Sequence, residues 1–214
     1  MPIDRVILFC ICLIFSNLGA YASDSITAAD VHNQTNLSHK ILTGINLSCA
    51  HLSQSDLSNA NLASSNLSCA LLRSSWLVGT NLSGANLRKT DLSGAELIRC
   101  ELTEASLLYA DLTRAYVNKT ILKRSNLTGT SLVGAEIVDS DLSFAAFAGA
   151  DLRRCNIANS TLLGAKLCNA NLALAVISNT NLSRTNLSAA NLKDAKLSKI
   201  NMSGAISEMR TAPA

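Results

Sequence analysis

The stretch Ala85-Asn86-Leu87-Arg88-Lys89-Thr90-Asp91-Leu92-Ser93-Gly94-Ala95-Glu96-Leu97 repeats one five-residue phrase: a small residue, Asn or Asp, leucine, then two variable positions. Outward from it in both directions, a leucine or a near relative falls on every fifth residue from Leu37 to Met202, 34 positions without a slip of phase. Six of these are not leucine: Val117, Ile137, Phe147, Ile157, Ile177 and Met202. Two residues earlier stands a small side chain, as at Ala50, Ser55, Ala60, Thr80 and Cys100. Immediately before the leucine the chain favours Asn or Asp, as at Asn81, Asn86, Asp91 and Asp111.

A period of five matches neither the 3.6 of a helix nor the 2 of a strand, so neither element can put these leucines on one continuous face. The chain must turn every five residues. Each unit then sends the leucine and the small residue inward and three side chains to solvent, and four units close a square coil of 20 residues. A single coil cannot bury its own leucines, whereas stacked coils can.

The phrase A(D/N)Lxx resembles the pentapeptide-repeat family, and the resemblance covers residues 37–206. It implies an all-β fold, a right-handed quadrilateral parallel β-helix. Thirty-four units at four per coil give about 8.5 coils, and a strand spacing of roughly 4.8 Å makes a rod on the order of 40 Å long. Such a resemblance is specific for fold and nearly silent on function.

Around the repeat the chain divides into four parts. Residues 1–22 read as a secretory signal peptide, with an uncleaved N-terminal anchor as the alternative: Arg5, an apolar run from Val6 to Phe15, and the small-x-small sequence Ala20-Tyr21-Ala22 that suits cleavage after Ala22. Residues 23–36 form an N-terminal cap segment, in which Ser25 to Val31 suits either a short helix with Ser25 as N-cap or a loop. Residues 37–206 are the solenoid, and 207–214 a C-terminal tail. Lys40 and Ile45 occupy slots that elsewhere hold small residues, so the first coil is expected to be irregular. The edge of the last coil needs cover, from the tail or from another subunit.

Charge bears on the function best known for the resembling family, imitation of DNA by acidic rods that act on type II topoisomerases. Imitating phosphates needs rows of carboxylates. Without the leader's Asp4 and Arg5, the chain has 17 basic and 14 acidic residues (18 − 1 and 15 − 1). Basic residues cluster at Arg114, Lys119, Lys123 and Arg124, and again at Lys193, Lys196 and Lys199. An exported chain would also be separated from a cytosolic topoisomerase. Binding to nucleic acid is disfavoured, because Arg114 is placed near Asp111, Arg153 and Arg154 follow Asp151, and few aromatic residues are interleaved with them.

Residues 20 apart should stack on one side of the rod. On the face built on Leu57, Leu77, Leu97, Val117 and Ile137, the outward slots of four consecutive coils hold Trp76, Val78, Ile98, Tyr116 and Val138, a candidate protein-contact patch. Cys49 and Cys69 share one outward slot in successive coils and are candidates for a disulfide. Adding His51 would give three ligands for a metal, without a fourth. Cys100 and Cys155 fall in the small inward slot, and Cys168 points outward away from the others.

His32, His39 and His51 all lie near the N-terminal end with no carboxylate pair beside them, so no catalytic, cofactor or metal site is assigned. The expected function is that of an exported, non-enzymatic scaffold, a rigid protein-binding or structural rod in the periplasm or outside the cell. It would have an unknown protein partner or self-association, no cofactor, and no membrane span once the leader is removed. The alternatives are a DNA-mimicking modulator of type II topoisomerase and a secreted effector acting in a host cell.

Overall fold

The computed structural model describes residues 31–207. The expected signal peptide, the segment from Ser25 to Asp30 and the tail beyond residue 207 lie outside the described residues. Within them the chain is an all-β parallel solenoid with a turn every five residues and no helix.

The unit Asp91 to Ala95 shows why the repeat takes this form, because each of its five amides has a partner. Asp91 donates back to the Ala70 carbonyl at 3.0 Å, while Leu92 and Gly94 donate forward to Asp111 and Thr113 at 2.7 and 2.9 Å. Ala95 closes the turn on the Leu92 carbonyl at 3.0 Å. The remaining amide, of Ser93, donates to Asp91 Oδ1 at 3.1 Å. The Asn or Asp before each leucine therefore captures the one amide that the coil-to-coil ladder misses, as Asn81, Asp111 and Asn181 also do for Ser83, Thr113 and Ser183. Buried backbone donors are costly to leave unpaired, which accounts for the preference.

Two residues after every leucine the backbone is left-handed. Glycine fills some of these corners, but 25 other residues hold φ between 50 and 62° there. The stacked ladder imposes the conformation against a cost of about 1–2 kcal/mol for an L-residue.

One face departs from this turn. Val117, Ile137, Ile157 and Ile177 are all 20 residues apart, and each centres a three-residue strand: β2 (Tyr116–Asn118), β3 (Glu136–Val138), β4 (Asn156–Ala158) and β5 (Val176–Ser178), flanked by β1 (Glu96–Ile98) and β6 (Lys196–Ser198). The six pair in chain order, parallel and in register. β-Branched side chains favour the extended backbone and resist the tight turn. Strands thus carry the stacking through five coil-to-coil steps, fewer than the roughly 8.5 coils expected, and elsewhere single bridges keep the same 20-residue register from Asn36↔Asp56 to Asn186↔Ile206.

Where the corner opens, its amide loses the leucine carbonyl as acceptor, and a hydroxyl of the next coil replaces it. Cys100 donates to Thr120 Oγ1 at 3.3 Å, Thr120 to Ser140 Oγ at 3.2 Å, and Ser140 to Ser160 Oγ at 3.1 Å. The hydroxyls in turn donate to carbonyls, Thr120 to Leu97 and Ser140 to Val138. This buried ladder lets one face be sheet while the other three remain turns.

The core is the leucine column with the small residues beside it. Phe147 fills a leucine slot and is the largest fully buried side chain. Ile45, in a slot that is small in most units, is buried in the first coil. The ladder begins ahead of Leu37, with the Gln34 amide already donating to Ser53 at 2.9 Å.

Candidate functional site

The open-cornered face positions the residues of the expected contact patch in two outward columns. One runs Trp76, Glu96, Tyr116, Glu136, and the other Val78, Ile98, Asn118, Val138. The apolar stripe expected over four coils is therefore interrupted, because Glu96, Asn118 and Glu136 stand within it. Trp76 is 45% exposed and Tyr116 37%, whereas Val78, Ile98 and Val138 are half-buried against the sheet. The surface is a mixture of two aromatic rings, three aliphatic side chains and two carboxylates.

Trp76 also ends a groove of about 490 Å³ along the adjoining corner, lined by Gln34, Thr35, Asn36, Gln54, Asp56 and Ser74. The groove arises because the corner column and the column two residues on stand up on either side of the small inward residue. A second groove, about 480 Å³, runs along the other edge of the same face between Asp139 and Asn201, floored by Ser140, Ser160 and Thr180.

Elsewhere the corners seat large side chains on glycine. The rings of Tyr109 and Phe144 lie over Gly129 and Gly164, one coil further on, so close that a Cβ at either glycine would sit 2.5–2.8 Å from ring carbons. Tyr109, Phe144 and Leu174 are thus exposed apolar groups outside the expected patch. The 20-residue spacing of Tyr109 with Gly129 and of Phe144 with Gly164 is the sequence signal for two of these seats.

Charge is distributed in local pairs. Arg73 pairs with Asp91, Lys123 with Asp141 at 3.3 Å, Arg124 with Glu104 at 3.7 Å and Arg153 with Asp151 at 2.7 Å. Arg114 lies over Gly134. Burial opposes ionisation of Asp91 and Asp141, but hydrogen bonds from Ser93 and Arg73, and from Ser143 and Lys123, outweigh it and hold both carboxyls below the usual aspartate value. For Asp151 the hydrogen bond from Arg153 dominates and lowers its pKa against some burial. Among the described residues no group of three His, Cys, Asp or Glu side chains converges on a metal site, and no helix is long and apolar enough to cross a membrane.

Eight copies of the pentapeptide repeat match this chain, over residues 33–64, 65–104, 105–143, 135–172 and 170–206. The chain belongs to the pentapeptide-repeat family. Among solved structures it is similar to HetL, a pentapeptide repeat protein involved in heterocyst differentiation regulation in the cyanobacterium Nostoc sp. strain PCC 7120, at 25% identity over 100% of this chain and 99% of that one, with a TM-score of 0.49. It is also similar to QnrB1, a plasmid-mediated fluoroquinolone resistance protein, at 16% identity over 83% of this chain and 93% of that one, with a TM-score of 0.61. The likeness to QnrB1 concerns the fold alone. No curated protein is similar enough to match.

The cysteines of this pentapeptide-repeat chain fall into two environments. Burial pushes the Cys100 and Cys155 thiols up to about 12, which leaves them unreactive small core residues. Cys49 and Cys69 are exposed free thiols on one corner, and Cys168 is half-buried elsewhere. The two ends of the solenoid also differ. Leu37 and Leu42 of the first coil are buried, while in the last coil Leu197 is 39% exposed, with Leu192 and Met202 half-buried.

Proposed function

We propose that this pentapeptide-repeat protein is an exported, non-enzymatic rod that binds protein through the Trp76 face. The observation that carries this reading is the sole tryptophan of the chain, held 45% exposed at the end of a groove. Burying an indole on a rigid sheet removes a large apolar area from water at little cost in side-chain freedom, which is why tryptophan recurs as an anchor of protein interfaces. Tyr116, Val78, Ile98 and Val138 widen the contact. Glu96 and Glu136 on the same face, with Asp56 in the groove, favour a partner whose apolar contact is ringed by basic side chains.

Export rests on the leader-like sequence of residues 1–22. Fractionation with N-terminal sequencing tests it: a mature chain beginning at Ser23 outside the cytosol is expected, and an intact Met1 in the cytosol would refute it. Binding is tested by crosslinking and recovery from the compartment where the chain resides. Trp76→Ala combined with Val78→Ser should abolish recovery of the partner, and unchanged recovery and oligomeric state would remove this face as the contact.

A further inference from the structure

We infer that Cys49 and Cys69 are a redox pair, closing under oxidising conditions to an intramolecular disulfide that staples two successive N-terminal coils. The two residues hold the same left-handed corner, with φ of 57 and 59°. The ladder fixes their register on both sides, through the bridges Asn46↔Asn66 and His51↔Leu71 and through the Cys49 amide on the Ser68 carbonyl at 2.8 Å. Parallel stacking sets corresponding Cα atoms roughly 4.8 Å apart, inside the range of about 4.4–6.8 Å that a disulfide spans. The Cα spacing is therefore compatible with a disulfide.

Among the described residues this is the one pair of exposed thiols in adjacent coils, since Cys100 and Cys155 are buried and the column neighbours of Cys168 are Ala148 and Ser188. Some burial and then the adjacent Cys69 thiol raise the Cys49 pKa. With a low-molecular-weight disulfide as oxidant, one of the two thiolates displaces one small thiolate and forms a mixed disulfide. The other cysteine loses its proton, attacks the sulfur of the first and expels the second small thiolate. Two protons leave the cysteines and two electrons reduce the small disulfide to two thiols. The closed ring joins the coils beside Lys40 and Ile45, where the small inward column is interrupted.

This inference does not depend on the protein-binding reading, and the purified full chain is enough to test it. Residues 41–73 contain a single Lys or Arg, at Arg73, so one tryptic peptide after Lys40 carries both cysteines. After incubation with oxidised glutathione and alkylation in denaturant, that peptide should be two hydrogens lighter than its reduced form and carry no alkyl group. Reductant should restore two alkylation sites and lower the thermal midpoint of the wild-type chain by on the order of 5–10 °C. It should leave the midpoint of Cys49→Ser unchanged, and serine suits the slot because Ser64 and Ser74 occupy equivalent corners. Two alkyl groups on the oxidised peptide, two separate glutathione adducts, or a link to Cys168 or to a second chain would overturn the inference.

Discussion

Thr120 serves two neighbours at once, accepting from the Cys100 amide and donating to the Leu97 carbonyl inside a buried corner. Thr120→Val keeps the shape and removes both bonds, so it should destabilise the rod by about 1–3 kcal/mol, the usual cost of a buried donor left unpaired. Thr130→Val is the control. Thr130 only adds a second donor to a Leu127 carbonyl that its own amide already reaches, so equilibrium unfolding in denaturant should show a clearly smaller loss. Ser65 presents the opposite case, because its hydroxyl is buried without a partner, whereas in the same column Ser125 and Thr185 donate to the Leu122 and Leu182 carbonyls and positions 85, 105, 145 and 165 are alanine. Ser65→Ala should leave stability unchanged or raise it by up to about 1 kcal/mol, and a loss measured by the same unfolding experiment would show that the hydroxyl has a partner. These distinctions are not visible in the phase alone. The repeat tells which way Thr120, Thr130 and Ser65 point, but which acceptor each amide uses depends on whether its corner is closed or open.

At the scale of the element, the five-residue period makes the coil, and the β-branched exceptions mark the face that becomes sheet, which Leu97 and Leu197 extend by one coil at each end. Val117, Ile137, Ile157 and Ile177 are plain in the sequence as departures from leucine, and their common spacing of 20 marks the strand face. The contact patch was legible only in part for the same reason. Periodicity gives the face of Trp76, Val78, Ile98, Tyr116 and Val138, whereas continuity depends on the columns, and there Glu96, Asn118 and Glu136 intervene. The role of Asn and Asp before each leucine likewise needs the fold, since the amide they capture is unpaired only once the ladder exists. Those carboxylates make stability depend on acid. Asp91, Asp141 and Asp151 have folded pKa values below the ordinary one, so their contribution is complete above the unfolded value of about 3.9. As the pH falls below that value the unfolded chain takes up protons first, and the contribution is lost on approach to the folded pKa. Thermal midpoints should therefore change little with pH near neutrality and fall in acid. Asp91→Asn should flatten that fall, and an equally steep acid limb in the variant would separate Asp91 from it.

At the scale of the molecule, the solenoid is a ruler with unlike ends and unlike sides. The inward leucines of its first coil, Leu37 and Leu42, are buried and its last coil exposes Leu197, and one side is sheet while three are turns. A rigid rod presents its side chains at fixed spacing, so a contact on one face implies little contact on the opposite one. The central claim is that the Trp76 face is the one that meets protein. Its most direct measurement places a photo-crosslinking amino acid, one position at a time, at Val78 and Ile98 on that face and at Ser183 and Ser203 on the adjoining one, followed by irradiation in the chain's native compartment. Protein adducts from Val78 and Ile98, and none from Ser183 and Ser203, are the predicted result; adducts in equal yield around the rod, or only from the serine positions, would contradict it.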